Sequence, residues 1–150
     1  MSMKEIPKIP NKIIQHDLKT LVENGKITIN TLSKVTRIEK QWFEDYISEK
    51  EHIESISPDE IHFITDFISI LSLGMKIDDD SRLKAIIEVL TQIYEMNTDT
   101  IANCIEIDRQ IIENFMLDSN LISMEEKYTL SVKVMFLYYI LKFPKYDILN

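Results

Sequence analysis

The chain has 150 residues, of which 45% are hydrophobic, and this is enough apolar material for one compact domain or two very small ones. Only 2 Gly and 4 Pro are present, which favours helices over a many-stranded sheet and excludes a glycine-rich phosphate loop. The formal net charge of −8 is unfavourable for binding a polyanion such as DNA. The charge is unevenly distributed, because residues 1–40 carry eight basic and four acidic side chains, whereas residues 41–150 carry nine basic and twenty-one acidic ones.

The first part of the chain predicts a basic arm followed by four helices. Pro7 and Pro10 keep residues 1–11 extended, as either a tail that reaches toward a DNA groove or an ordinary disordered terminus. A helix over about 12–24 ends at Gly25, and a short helix capped by Thr28 or Asn30 ends near residue 35. A third helix covers about 39–49, and a fourth runs from the capping Ser57 to about residue 73.

The second part predicts four further helices. The fifth opens at the aspartates of residues 78–80 and runs to about residue 95, with Ile93 among its inward residues. Thr98 or Asp99 caps the sixth helix, the seventh follows Ile107, and the eighth starts at Ser123.

One apolar pattern occurs twice, in Leu32–Ile47 (the first copy) and, 69 residues later, in Ile101–Met116 (the second copy). Apolar residues coincide at Leu32/Ile101, Val35/Cys104, Ile38/Ile107, Trp42/Ile111, Phe43/Ile112, Tyr46/Phe115 and Ile47/Met116. We therefore predict an all-α fold of about eight helices, built as two tandem four-helix repeats over residues 12–74 and 75–150. The fourth and eighth helices are apolar nearly all round, which predicts burial on more than one side, either against each other or in a homodimer.

Each copy has the spacing of two helices joined by a tight turn. A small residue, Ser33 or Ala102, stands where the following helix crosses closely, and apolar residues at Ile38, Phe43 and Tyr46 and their equivalents hold that helix to the core. Both copies thus resemble the helix-turn-helix superfamily of phage-repressor-like bacterial regulators. Trp42 is expected to pack in the core.

The resemblance implies a DNA-binding transcriptional regulator of a bacterium or phage. In such a regulator the second helix of each four-helix repeat meets phosphate, and the third helix reads bases. Double-stranded DNA is then the expected partner. The implied phosphate contacts are Thr28, Asn30, Thr31, Lys34 and Arg37. The implied base contacts are Lys40 and Gln41 in the first copy and Arg109, Gln110 and Asn114 in the second.

Carboxylates beside these residues support a second interpretation. Glu39, Glu44 and Asp45 flank the first set, and Asp108 and Glu113 flank the second. The first copy is therefore the expected DNA-facing one, with the second kept as a structural partner. The alternative is an acidic protein–protein interaction module, such as an adaptor, an antirepressor or a DNA mimic, on the same scaffold.

No catalytic residue, metal site or cofactor is expected, and the protein is not expected to be an enzyme. His16, His52 and His62 fall on separate segments without ligand-like spacing. The single cysteine, Cys104, excludes an internal disulfide and is expected to be a small buried hydrophobe. No signal peptide is visible, and the apolar run from residue 130 to 143 is too short to span a bilayer, so a cytoplasmic protein is expected.

Overall fold

The computed structural model describes residues 11–142, and this range contains α-helices and two short 3-10 helices but no strand, which confirms the all-α prediction. The α-helices are α1 (Asn11–Glu23), α2 (Ile29–Thr36), α3 (Lys40–Ile47), α4 (Pro58–Gly74), α5 (Asp79–Gln92), α6 (Thr98–Ile105), α7 (Arg109–Leu117) and α8 (Met124–Leu141). The 3-10 helices, Ile53–Ser55 and Ser119–Leu121, precede α4 and α8. Over the same range, no helix has both the length and the apolar run that a membrane crossing requires. The predicted arm lies outside the described residues, apart from residue 11.

The chain divides into two compact units, Met1–Lys76 and Ile77–Asn150. Among the described residues, each unit contains four α-helices and one 3-10 helix in the same order. In the first unit α1 contacts α3 and α4, and α2 contacts α3 and α4. In the second unit α8 contacts α5, α6 and α7.

Local capping residues set most helix starts. Thr28, Ser57, Asp78 and Ser123 each accept a hydrogen bond from a backbone N–H of the following turn. Ser57 and Ser123 form complete capping boxes with Glu60 and Glu126. The predicted cap of α6 is wrong: Asn97 holds that position, because its Oδ1 accepts from the Thr100 amide at 2.8 Å.

Each unit has its own apolar core. The first core comprises Ile14, Leu18, Leu21, Leu32, Ile38, Phe43, Tyr46, Ile53, Ile64 and Ile68. The second comprises Leu83, Ile87, Leu90, Ile101, Ala102, Ile105, Ile112, Phe115, Ile122, Leu130, Val134 and Leu137. The repeated pattern supplies the centre of both, since residues 32, 43 and 46 and their equivalents at 101, 112 and 115 are at most 1% exposed.

Two predicted core positions are exposed. Cys104 is at the surface rather than buried, and its equivalent Val35 is 48% exposed. The reason is that α6 has only eight residues and buries a single face, formed by Ile101, Ala102 and Ile105, so that residue 104 points to solvent. Ile93, expected to face inward, is 71% exposed because α5 ends at residue 92 and Ile93 follows it as the C-cap.

Within its own unit, each of helices α4 and α8 buries one face, and the predicted burial of a second face stays a prediction. In α4, Ile64 and Ile68 are buried while Ile70 and Leu73 are exposed. In α8, Leu130, Val134 and Leu137 are buried, and the opposite face is apolar and exposed. The packing of α4 against α8 stays a prediction.

Candidate nucleic-acid interface

The first helix pair, α2 and α3 with their caps (residues 28–47), is joined by a tight turn that contains no glycine. Arg37 adopts the left-handed conformation with φ of 62°, and its N–H donates to the Ser33 carbonyl at 2.8 Å. The Ser33 hydroxyl donates to the carbonyl of Ile38 at 2.6 Å, so both ends of the turn are tied to the same residue. The second helix pair is defined as the equivalent residues 97–116, from the N-cap of α6 to Met116 in the last turn of α7. Its turn residue Glu106 has the same left-handed conformation, with φ of 55°.

Helix α3 is fixed to the core through its inner face. Tyr46 is fully buried, its hydroxyl donates to Asn11 Oδ1 at 2.8 Å, and its carbonyl accepts from the Gln15 amide. Burial raises the pKa of Tyr46 to about 12. The Trp42 ring stacks on Tyr46 with centroids 4.8 Å apart, and its Nε1 donates to Ser55 Oγ at 2.7 Å. Trp42 is thus partly buried against the core, and the opposite face of α3 is presented to solvent.

The residues predicted to contact DNA in the first helix pair are all exposed. Thr28 caps α2, with its Oγ1 accepting from the Thr31 amide at 3.1 Å, and Asn30 lies in the first turn. Lys34 and Arg37 follow at the end of α2. At the start of α3, Gln41 Nε2 donates to Asp45 Oδ1 at 3.1 Å.

The two lysines of the first pair differ from the arginine of the second in their ion pairing, which the sequence did not reveal. Within residues 11–142, neither Lys34 nor Lys40 forms an ion pair.

In the second helix pair the equivalent basic residue is held by two carboxylates. Arg109 Nη1 contacts Asp99 Oδ1 at 2.9 Å, and Arg109 Nε contacts Glu113 Oε1 at 2.6 Å. We call these three residues the Arg109 clamp. Hydrogen bonds to Glu113 and then to Asp99 raise the pKa of Arg109, which is charged at neutral pH in any case. Beside the clamp, Gln110 Nε2 donates to Asn114 Oδ1 at 2.9 Å.

Differences at equivalent positions account for part of the contrast, since Glu44 corresponds to Glu113 but forms no ion pair with Lys40 within residues 11–142. Lys40 corresponds to Arg109, but the position of Asp99 is occupied by Asn30, which carries no charge to pair with Lys40. The turn residue Arg37 corresponds to Glu106. Residues 28–47 therefore contain three basic and three acidic side chains, whereas residues 97–116 contain one basic and four acidic.

Half of the clamp has a sequence signal. Arg109 and Glu113 are four residues apart, the spacing at which side chains on one helix meet. The contact between Asp99 and Arg109 crosses from α6 to α7, and ten residues of separation give no local signal for it.

The described residues do not assemble a metal site. His16, His52 and His62 are all exposed, and His62 Nε2 lies 3.6 Å from Asp66 Oδ2. Within residues 11–142, no three His, Cys, Asp or Glu side chains converge as metal ligands would.

A family model described as a helix-turn-helix domain matches residues 9–147. The chain belongs to this helix-turn-helix domain family. The match runs through both helix pairs and the helices around them, so the helix-turn-helix unit of this family covers nearly the whole chain. Neither the comparison with curated proteins nor that with solved structures finds a match. The family is a DNA-binding fold, and of the two helix pairs only the first contains lysines, Lys34 and Lys40, neither of which forms an ion pair within residues 11–142.

Proposed function

We propose that this protein is a transcriptional regulator that binds double-stranded DNA mainly through its first helix pair. The observation that carries the proposal is the contrast between Lys40 and Arg109. Lys40 has no carboxylate partner within the described residues, whereas Arg109 is bound by Asp99 and Glu113. A cation that already pairs with two carboxylates has less to gain from phosphate or guanine than one that does not.

The roles within the first pair follow from position. Thr28, Asn30 and Thr31 surround the N-terminus of α2, where backbone N–H groups and the helix dipole favour a phosphate. Lys34 and Arg37 add positive charge beside it. Lys40 and Gln41 begin α3, and their side chains suit guanine and adenine edges, Gln41 by exchanging its bond to Asp45 for one to a base.

The acidic residues of the first helix pair lower its non-specific affinity for DNA. Glu39, Glu44 and Asp45 balance the three basic side chains, so residues 28–47 have no net positive charge. Binding should therefore be weak on random DNA, and it should weaken with salt because it depends on the basic side chains. A carboxylate contributes to specificity where it accepts from cytosine N4.

A second candidate function, binding to a basic protein, rests on the second helix pair. This pair has one basic residue, Arg109, and two of its four acidic residues already form ion pairs with it. The four acidic residues are Asp99, Glu106, Asp108 and Glu113. Such a surface repels DNA and attracts a cationic partner. On this alternative the protein is an adaptor, an antirepressor or a DNA mimic.

Duplex DNA titration separates the two functions. Fluorescence anisotropy is measured at several salt concentrations between roughly 50 and 200 mM for the wild type, Lys34→Ala, Lys40→Ala and the matched control Arg109→Gln. Removing Lys34 should weaken binding and flatten the slope of log K against log salt by about one, because Lys34 contributes one phosphate contact. Removing Lys40 should weaken binding through the loss of a base contact.

Arg109→Gln removes the same charge from the equivalent helix and should leave the slope unchanged. If the wild type does not bind duplex DNA even at roughly 50 mM salt, the DNA proposal is wrong. Salt-sensitive capture of a basic protein that Asp108→Asn weakens would then favour the second function.

A further inference from the structure

Helix α8 presents an apolar stripe to solvent on the face opposite its core contacts. Its members, which we call the α8 stripe, are between 47% and 75% exposed: Met124, Tyr128, Val132, Met135, Phe136 and Tyr139. The core face of the same helix holds Leu130, Val134 and Leu137, so the stripe takes no part in the core of its own unit.

The stripe has the spacing of a two-helix seam. Tyr128, Val132, Met135 and Tyr139 are separated by four, three and four residues, which is the period that places apolar residues along the contact line of two packed helices. Extending the same alternation by three residues at each end reaches Glu125 and Lys142, one acidic and one basic.

These end charges select the orientation of a partner with the same sequence. In an antiparallel pair related by a two-fold axis near the middle of α8, Glu125 of one copy faces Lys142 of the other at both ends. The same register sets Tyr128 opposite Tyr139 and Val132 opposite Met135, so every layer is filled. A parallel pair would instead oppose Glu125 to Glu125 and Lys142 to Lys142, which is unfavourable.

We propose that the protein forms a homodimer through antiparallel packing of two α8 helices along the α8 stripe. The helix is preorganised for this contact, since the Ser123–Glu126 capping box starts it and the core of the second unit holds its inner face. Association therefore costs less ordering entropy than pairing of two free peptides. The inference is independent of DNA binding.

Sedimentation equilibrium of the full chain over a range of protein concentrations tests the dimer. Val132→Glu places two carboxylates near the centre of the seam and should raise the dimer dissociation constant at least about tenfold. Ile93→Glu is the matched control, because it adds the same charge at an exposed aliphatic residue of the same unit outside the stripe, and it should leave the constant unchanged. Circular dichroism establishes that both variants keep their helices.

A charge swap tests the orientation. Glu125→Lys and Lys142→Glu should each weaken the dimer by about three- to tenfold, and the double variant should regain wild-type affinity because opposite charges again face each other. A wild-type chain that stays monomeric at about 200 μM overturns the dimer, since an interface weaker than that does not amount to a stable pair. A dimer that survives Val132→Glu, or a double variant no better than the single ones, overturns the α8 seam and its antiparallel register.

Discussion

At the residue scale, the two helix pairs differ chiefly in how their basic side chains are paired. The Arg109 clamp pairs the one basic side chain of α7 with two carboxylates. In the first pair the position of Asp99 is the uncharged Asn30, and Glu44, which corresponds to Glu113, forms no ion pair with Lys40 within residues 11–142. The sequence locates every one of these residues on its helix, because helix position is a local property. It does not show which side chains meet across two helices, and so the Asp99–Arg109 contact was not predicted.

Rebuilding the clamp in the first helix pair should weaken DNA binding. Asn30→Asp places a carboxylate where Asp99 stands in the second pair, so that it competes with phosphate for Lys40 and should lower affinity about tenfold. Asn24→Asp adds the same charge at an exposed position outside the pair and serves as the control in the anisotropy titration. Equal losses for the two variants would mean that net charge alone, and not the state of Lys40, governs binding.

A partly buried ion pair connects the starts of α5 and α8. Lys127 Nζ lies 3.1 Å from Asp80 Oδ2, with 18% and 35% of the two side chains exposed. Hydrogen bonds from Lys127 and then from Ser119 hold the pKa of Asp80 below its ordinary value. Since the folded state favours the carboxylate, this contribution to stability is present above the ordinary Asp pKa and is lost as the pH falls through the lowered one.

Asp80→Asn should therefore destabilise the protein at pH 7 by about 0.5 to 1 kcal/mol, the range for an ion pair that solvent still screens. The difference from wild type should vanish in acid, below the lowered pKa of Asp80. Urea unfolding at neutral and acidic pH measures both. Asp59→Asn is the control, because Asp59 stands at the same place in the first turn of α4 without an ion pair among the described residues. If Asp80→Asn lowered the free energy of unfolding by the same amount at every pH, the ionisation of Asp80 would not be the source of this stability.

At the element scale, the helix starts were predictable wherever one cap stood alone before an apolar run. Ser57 and Ser123 are such caps. The start of α5 was predicted only as a run of three aspartates, of which Asp78 is the cap. The start of α6 was missed because Asn97, Thr98 and Asp99 all suit a cap, and hydrogen-bond geometry decides among them. The exposure of Cys104 was missed because the eight-residue helix α6 buries only a narrow face. The apolar pattern alone does not show which of its apolar residues fall outside that face.

The repeated pattern predicts that its central positions stabilise both units alike. Leu32 is 1% and Ile101 0% exposed, so Leu32→Ala and Ile101→Ala should each lower the free energy of unfolding by about 2 to 5 kcal/mol. Val35→Ala, at the exposed equivalent of Cys104, should cost no more than about 0.5 kcal/mol. Chemical denaturation followed by circular dichroism measures all three. A loss at Val35 as large as that at Leu32 would contradict the assignment of the buried row.

At the scale of the whole molecule, the sequence predicted the helical class and a helix-turn-helix family but not the distribution of apolar surface. Each unit is small, and its core takes up only one face of its fourth helix, which leaves the α8 stripe in solvent. An apolar run around a helix does not distinguish burial within a unit from burial against a partner. Composition likewise predicts the net charge, but it does not show that Arg109 is bound by two carboxylates while Lys34 and Lys40 form no ion pair within residues 11–142.

The first helix pair, and not the second, is the proposed DNA-binding surface. Amide hydrogen exchange of the full chain, measured with and without a saturating duplex, distinguishes the two pairs because a bound surface exchanges more slowly. Binding through the first pair should add protection in peptides covering residues 28–47 and leave those covering residues 97–116 unchanged. Protection confined to residues 97–116 would contradict it.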